Sequence, residues 1–205
     1  MPVYLRLSRE FAGAHTFNAY LGAVAGGRTL PLAVAARGPS GDVGRFAIQS
    51  VNTGEEVEVA VNLTTGEVEG SSYRKLRHLM RCLRTGAETP VDPRLIDLLY
   101  RIAQRTGQKL QLVSGFRAPM FSTAALSYHT RGMAADIRIP GMTPLMARDL
   151  AVSMNVKGIG YYPVSGFIHV DVRDEQARWI DYGKDRQDGE GAEHGSDPRA
   201  EAEAE

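Results

Sequence analysis

Two stretches constrain this chain more than any others: Ser127-Tyr128-His129-Thr130-Arg131-Gly132-Met133-Ala134-Ala135-Asp136 and, further along, Phe167-Ile168-His169-Val170-Asp171. Ala135-Asp136-Ile137-Arg138-Ile139 alternates apolar and polar residues, and so does Ile168-His169-Val170-Asp171-Val172. This is the period-two signature of half-buried strands. The β-branched set of each strand packs on one face. The other faces carry Asp136 and Arg138 in the first strand, and His169, Asp171 and Arg173 in the second. If the two strands pair, Asp136 and His169 lie cross-strand with Cβ atoms about 5 Å apart, close enough to share a metal. His129 comes in from the loop before the first strand, and Gly132 supplies the backbone freedom to turn there. Two imidazoles and one carboxylate can bind one zinc ion and leave a fourth position for water, which is the catalytic zinc pattern. Cys82 is the only cysteine, so a site closed by thiolates is excluded. An unpaired buried Asp136 would cost several kcal/mol or shift its pKa, and a cation removes that difficulty. A salt bridge to Arg138 is the competing account of the same aspartate.

With 205 residues, 43% of them hydrophobic, the chain is long enough for one well-buried core. Lys and Arg together number 24 and Asp and Glu 24, a formal net charge of zero. That argues against a dedicated nucleic-acid binder, which needs an excess of cations to meet phosphate. A single cysteine permits no internal disulfide and leaves the redox compartment open. No apolar run is long enough to span a membrane.

Residues 1–43 read as a poorly defined leader in which short apolar pieces are split by Gly26-Gly27-Arg28. Arg6 and Arg9, with Ala33-Val34-Ala35 further on, carry some features of an export signal, and a poorly ordered leader is the alternative. From Arg45 the pattern is regular. Phe46–Val51, the turn Asn52-Thr53-Gly54-Glu55 and Val57–Val61 predict a β-hairpin. A turn follows at Asn62–Gly66, where Asn62-Leu63-Thr64 also matches a glycosylation sequon. A basic helix is expected over Tyr73–Leu83, with Leu76, Leu79, Met80 and Leu83 in one buried stripe. Arg74, Lys75, Arg77, His78, Arg81 and Arg84 fill its remainder, as a solvated face or as an attraction for an anionic polymer. Cys82 beside the stripe reads as a small inert hydrophobe. Asp92-Pro93 caps a second helix that Gly107 ends, with Leu95, Leu98, Leu99 and Ile102 inward. Leu110–Val113 is a strand. Thr143-Pro144 opens a third helix with Leu145, Met146, Leu150 and Met154 inward, and Trp179 seals the core. The tail from Lys184, rich in Asp, Glu, Gly and Ala, is expected to be disordered. The expected architecture is α+β: a small antiparallel sheet carrying the zinc site, packed against helices, with an N-terminal β-hairpin.

Ser114-Gly115-Phe116-Arg117, Ser127-x-His129-x-x-Gly132-x-Ala134-x-Asp136, Gly158-x-Gly160-Tyr161-Tyr162 and Phe167-Ile168-His169-Val170-Asp171 resemble the YcbK-like branch of the D-alanyl-D-alanine metallopeptidases. That group belongs with lysostaphin-type enzymes and the hedgehog signalling domain. The resemblance spans residues 45 to 180 and implies a zinc peptidase-like domain over 44–183. It implies His129, Asp136 and His169 as the zinc ligands and Arg117 as the residue that holds substrate or its developing oxyanion. A guanidinium at the lip of a strand suits that task on physical grounds. The implied substrate is bacterial peptidoglycan, cut at peptide bonds involving D-amino acids by a carboxypeptidase or a cross-link endopeptidase, which would act in the periplasm or cell envelope. Where many members carry a general base three positions before the last ligand, this chain has Gly166. Asp171 is the local substitute, or else a partner that orients an imidazole. The segment Met120–Leu126 is shorter than the usual connection. Tyr161 or Tyr162 is expected to line the cleft, whereas His78 and His194 read as structural. A noncatalytic, zinc-containing module that grips cell-wall peptides is the second reading, and a basic-helix adaptor for nucleic acid the third.

Overall fold

A computed structural model describes residues 5–6, 42–63, 65, 67–121 and 127–183. Most of the leader, the acidic tail and residues 122–126 of the shortened connection lie outside the described residues. The strands are β1 (Leu5–Arg6), β2 (Val43–Ser50), β3 (Glu56–Asn62), β4 (Glu67–Val68), β5 (Leu110–Ser114), β6 (Ala134–Arg138), β7 (Gly158–Tyr162), β8 (Phe167–Asp171) and β9 (Ala177–Ile180). The helices are α1 (Gly70–Leu79), α2 (Pro93–Thr106) and α3 (Pro144–Ser153). The nine strands among the described residues join one sheet in the order β1-β4-β3-β2-β5-β6-β8-β7-β9.

The α+β class holds, but the sheet is larger than expected and mixed rather than antiparallel. β2 pairs with β5 in parallel, and β7 with β9. Parallel neighbours need a long crossover, and the β3-to-β5 connection contains both α1 and α2. β8 is already flanked by β6 and β7. The chain leaving it therefore lands outside β7 and runs in β7's direction. The expected hairpin is present as β2 and β3, in register Phe46↔Val59 and Ile48↔Val57, with Gly54 at φ 73° in its turn.

Helices and strands form where local chemistry starts and stops them. Asp92 accepts from Arg94 N at the head of α2, Pro93 follows it, and Gly107 ends the helix at φ 65°. Leu95, Ile96, Leu98, Leu99 and Ile102 then face Ile48, Val59, Leu110, Ile137, Ile168 and Val170 across one core. Each such side chain contributes roughly 1.5–3 kcal/mol of burial before entropy is counted. α1 lies earlier in the chain than expected because Glu69 caps its start, accepting from Ser71 N and Ser72 N, and it is over by Met80. Leu83 therefore lies beyond the helix and is exposed rather than part of the stripe. Among the basic residues, Arg77 and His78 reach Glu88, and Arg81 reaches Glu55.

α3 begins at Thr143 as expected, and Leu150 and Met154 pack against the core, but its first turn presents a different face. Leu145 and Met146 are exposed, whereas Ala147, Arg148 and Ala151 are buried. Two alanines let the helix approach β7 closely, and the Arg148 guanidinium lies over the Tyr161 ring at 5.2 Å. Trp179 is also placed differently. It sits in β9 opposite Gly160, on the sheet face turned away from the helices, and is only partly buried. Replacing Met146 with Ser should change unfolding free energy by no more than about 0.5 kcal/mol. Ala151→Leu should cost about 1–3 kcal/mol through overpacking. Urea denaturation of the two variants checks this orientation.

Candidate metal centre

The sheet has one face covered by helices and one that carries polar chemistry. Along β6, Ala135 and Ile137 point to the core and Asp136 to the other face. Along β8, Ile168 and Val170 point to the core and His169 to the other face. Asp136 and His169 are directly paired residues of the β6–β8 ladder, as the alternation required. His129 arrives from the tight turn Tyr128–Arg131. Gly132 ends that turn at φ 67°, and a Cβ there would meet Pro90 O at 2.1 Å. The Gly132 carbonyl accepts from Asp92 N at 2.9 Å, which ties the His129 turn to the head of α2.

Three ligand-type atoms converge as a result. His169 Nδ1 is 2.9 Å from Asp136 Oδ1, His129 Nε2 is 3.2 Å from the same oxygen, and the two nitrogens are 3.0 Å apart. All three side chains are buried. The far nitrogen of each ring fixes what the near one can do. His129 Nδ1 lies 2.6 Å from Gly115 O. A carbonyl can only accept, so Nδ1 carries the proton and Nε2 offers a lone pair. His169 Nε2 lies 2.9 Å from Asp171 Oδ2, and with the ring's proton held there Nδ1 offers its lone pair inward. Three acceptors thus face one another. Among the described residues this is the one group of its kind that could hold a metal ion. A four-coordinate ion with ligands at 2.0–2.1 Å sets its donors about 3.3 Å apart, close to the spacings found here.

The electrostatics agree. Burial opposes ionisation of Asp136, yet its hydrogen bonds with His129 and His169 outweigh that and hold it well below the usual carboxylate range. Burial pushes the His129 pKa down. Burial also opposes a charge on His169, but the Asp136 and Asp171 carboxylates prevail and raise its pKa. A proton drawn to His169 Nδ1 is shared between two acceptors, whereas a divalent cation satisfies all three lone pairs.

Each neighbour named from the sequence has a definite place. Arg138, the competing partner for Asp136, instead donates to Gly166 O and Ser165 O, both at 2.9 Å. The guanidinium that does reach Asp136 belongs to Arg117. Its Nη2 bonds Oδ2, the oxygen turned away from the imidazoles, and its Nε donates to Ser114 Oγ at 3.0 Å. Gly166 lies in the β7–β8 turn at φ 74°. Asp171 is fully buried behind His169. It accepts from Arg173 Nε at 2.8 Å and Nη2 at 2.5 Å. Burial works against its ionisation, but the hydrogen bonds from Arg173 and His169 hold it at about 2. Tyr162 is on the site face, accepting from Trp179 Nε1 at 3.2 Å, whereas Tyr161 is under α3 and does not line the cleft.

The sequence placed Arg173 on this face and marked Gly158-x-Gly160, but read Trp179 as sealing the core. Arg173 lies between the Tyr128 ring at 4.6 Å and the Trp179 ring at 5.2 Å, and Trp179 packs against His169 at 5.0 Å. Gly158 and Gly160 make room for it. A Cβ at 158 would meet Asp171 Oδ1 at 2.1 Å, and one at 160 would meet Trp179 Cε2 at 2.6 Å. The period-two glycines opposite His169 and Asp171 were the available signal.

The family model described as peptidoglycan L,D-endopeptidase MepK matches residues 39–179, a span that includes every residue of the site. The chain belongs to this family. It is 34% identical over 137 residues to the peptidoglycan L,D-endopeptidase MepK of Escherichia coli K12, covering 62% of this chain and 75% of that one. It is 33% identical over 140 residues to the probable peptidoglycan L,D-endopeptidase MepK of Haemophilus influenzae, covering 62% and 74%. No solved structure matches the chain significantly. The family, a branch of the D-alanyl-D-alanine metallopeptidases, is the one that the motifs resemble.

Two outcomes are expected. Asp171→Asn should weaken zinc binding about 10- to 100-fold, because the imidazole loses its orienting acceptor. Competition with a chromogenic chelator measures this. In metal-depleted protein, the depressed Asp171 pKa contributes stability that is complete above its ordinary value of 3.8 and lost as pH falls through about 2. Urea midpoints should therefore drop between pH 4 and pH 2, and less steeply in Asp171→Asn.

Proposed function

We propose that this protein is a zinc-dependent peptidoglycan endopeptidase that hydrolyses cell-wall peptide bonds involving D-amino acids, with His129, Asp136 and His169 as the metal ligands. The observation that carries the proposal is the convergence of two imidazole nitrogens and one carboxylate oxygen, each ring tied to an outer acceptor, on a face that no α-helix among the described residues covers. Membership of a family whose named relatives are peptidoglycan L,D-endopeptidases supports the substrate and favours an endopeptidase over a carboxypeptidase. Such a substrate sets the place of action at the cell envelope. No helix among the described residues is long and apolar enough to cross a membrane.

A bound zinc ion supplies Lewis acidity toward water and toward an amide carbonyl. The chain's own residues supply the rest. Gly115 O and Asp171 keep both imidazoles in the ligating tautomer. Arg117 sits on the outer oxygen of Asp136, where it helps hold the carboxylate ionised and directed inward. Its guanidinium is partly exposed, so it is also available to an oxyanion developing beside the centre. Asp171, paired with Arg173 and sealed behind His169, acts as a positioning residue rather than as the base that receives the proton.

A second reading, a noncatalytic module that retains zinc and grips cell-wall peptides, draws on one observation. The place where many family members carry a base is the turn glycine Gly166, and the carboxylates touching the imidazoles among the described residues are Asp136 and Asp171. Digestion of cross-linked muropeptides followed by mass analysis separates the two. The peptidase releases new fragments that a chelator suppresses and added zinc restores. His129→Ala should bind no stoichiometric zinc and lower turnover at least about a thousandfold, since removing a ligand removes the Lewis acid. Unchanged digestion by that variant refutes the ligand assignment, and a zinc-containing wild type that yields no fragments supports the binding module.

A further inference from the structure

A cavity of about 280 Å³ lies next to the metal centre, between the end of α1 and the segment leaving β5. The two share a wall. Gly115, whose carbonyl fixes His129, lines the cavity, and so does Arg117, whose guanidinium bonds Asp136. Gly115 is held there by close packing, for a Cβ on it would meet Met80 O at 2.6 Å. Leu79, Leu112 and Phe121 give the cavity an apolar lining, and three arginines, Arg81, Arg84 and Arg117, line it with no aspartate or glutamate among the lining residues. Two of these cations are matched, Arg81 by Glu55 at 2.8 Å and Arg117 by Asp136. Arg84 lies over the Phe121 ring at 4.9 Å and makes no ion pair with a carboxylate among the described residues. An excess of positive charge over an apolar floor suits a small organic anion, and the volume admits about one amino-acid residue.

We propose that this cavity is a substrate subsite that takes the terminal carboxylate of a peptidoglycan stem peptide on Arg84, seating the residue next to the bond at the metal centre. The assignment rests on the peptidase reading for the identity of the ligand, but not for the geometry of the pocket. Arg84 then sets specificity for a free acid over its amide, and Arg117 spans the subsite and the centre.

The test uses the zinc-loaded full chain and two uncrosslinked stem tripeptides that differ only in ending as carboxylate or amide. Isothermal titration calorimetry should show the wild type binding the acid about tenfold or more tightly than the amide, as expected for one charge-assisted contact. Arg84→Gln, a change at an exposed side chain, should bring the two within about twofold. Arg74→Gln, an exposed cation of α1 that does not line the cavity, should keep the full preference. With acid-terminated cross-linked muropeptides, Arg84→Gln should raise KM while leaving kcat in place. A wild type that binds acid and amide equally, or an Arg84→Gln variant that keeps the preference, overturns the subsite. Carboxylate preference without digestion would sustain the subsite and reject the peptidase reading. Digestion without the preference would do the reverse.

Discussion

Two imidazole nitrogens and a carboxylate oxygen drawn to about 3 Å of one another form an arrangement that a folded protein does not hold without cause. Here the cause can be traced atom by atom. The Gly115 carbonyl takes the outer proton of His129, the Asp171 carboxylate takes that of His169, and the two inner nitrogens are left to face Asp136 Oδ1. Around this centre the fold is a device for register. A shift of one residue between β6 and β8 would turn Asp136 or His169 into the core and an isoleucine onto the site. The apolar face packed into the core beneath the helices holds that register, because Ile137, Ile168 and Val170 have nowhere else to go.

The second layer works through space rather than attraction alone. On the site face β7 carries Tyr162 and, before it, two glycines. Its glycines at 158 and 160 leave the volume that Asp171 and Trp179 occupy. Arg173 fills the remaining gap between two aromatic rings and pins Asp171 with two donors. A buried charge pair of this kind is weak evidence for stability in general. Its value here lies in direction, since it turns one carboxylate oxygen toward His169 and leaves the ring no second orientation. Arg117 plays the matching part at the front, bridging the metal centre and the cavity beside it.

Much of this was legible before any coordinates. The hairpin of β2 and β3 and both ends of α2 were carried by local chemistry, an alternating pattern in the first case and Asp92, Pro93 and Gly107 in the second. The strand pair bearing Asp136 and His169 followed from two alternating runs. The errors share one origin. Leu145 and Met146 looked inward because they are large and apolar, yet α3 buries Ala147 and Ala151, which only the closeness of β7 explains. Trp179 looked like a core residue by size, but a glycine across the ladder offered it a place on the other face. The sequence offered Arg138 as the partner of Asp136, whereas the turn after β5 brings Arg117 to it instead.

What the sequence determined by itself is the cluster and the family: two histidines and an aspartate in alternating or turn contexts, with glycines where backbone had to turn. Periodicity fixes which face of a strand a side chain takes, so it could bring Asp136 to His169. What only the tertiary structure decided is how each donor is held, namely the tautomers, the burial of Asp171 behind His169 and the choice of Arg117. Those depend on contacts such as Gly115 to His129 and Gly158 to Asp171, between segments far apart in the chain. Spacing along a sequence carries no record of such distances, because the packing of the whole sheet sets them.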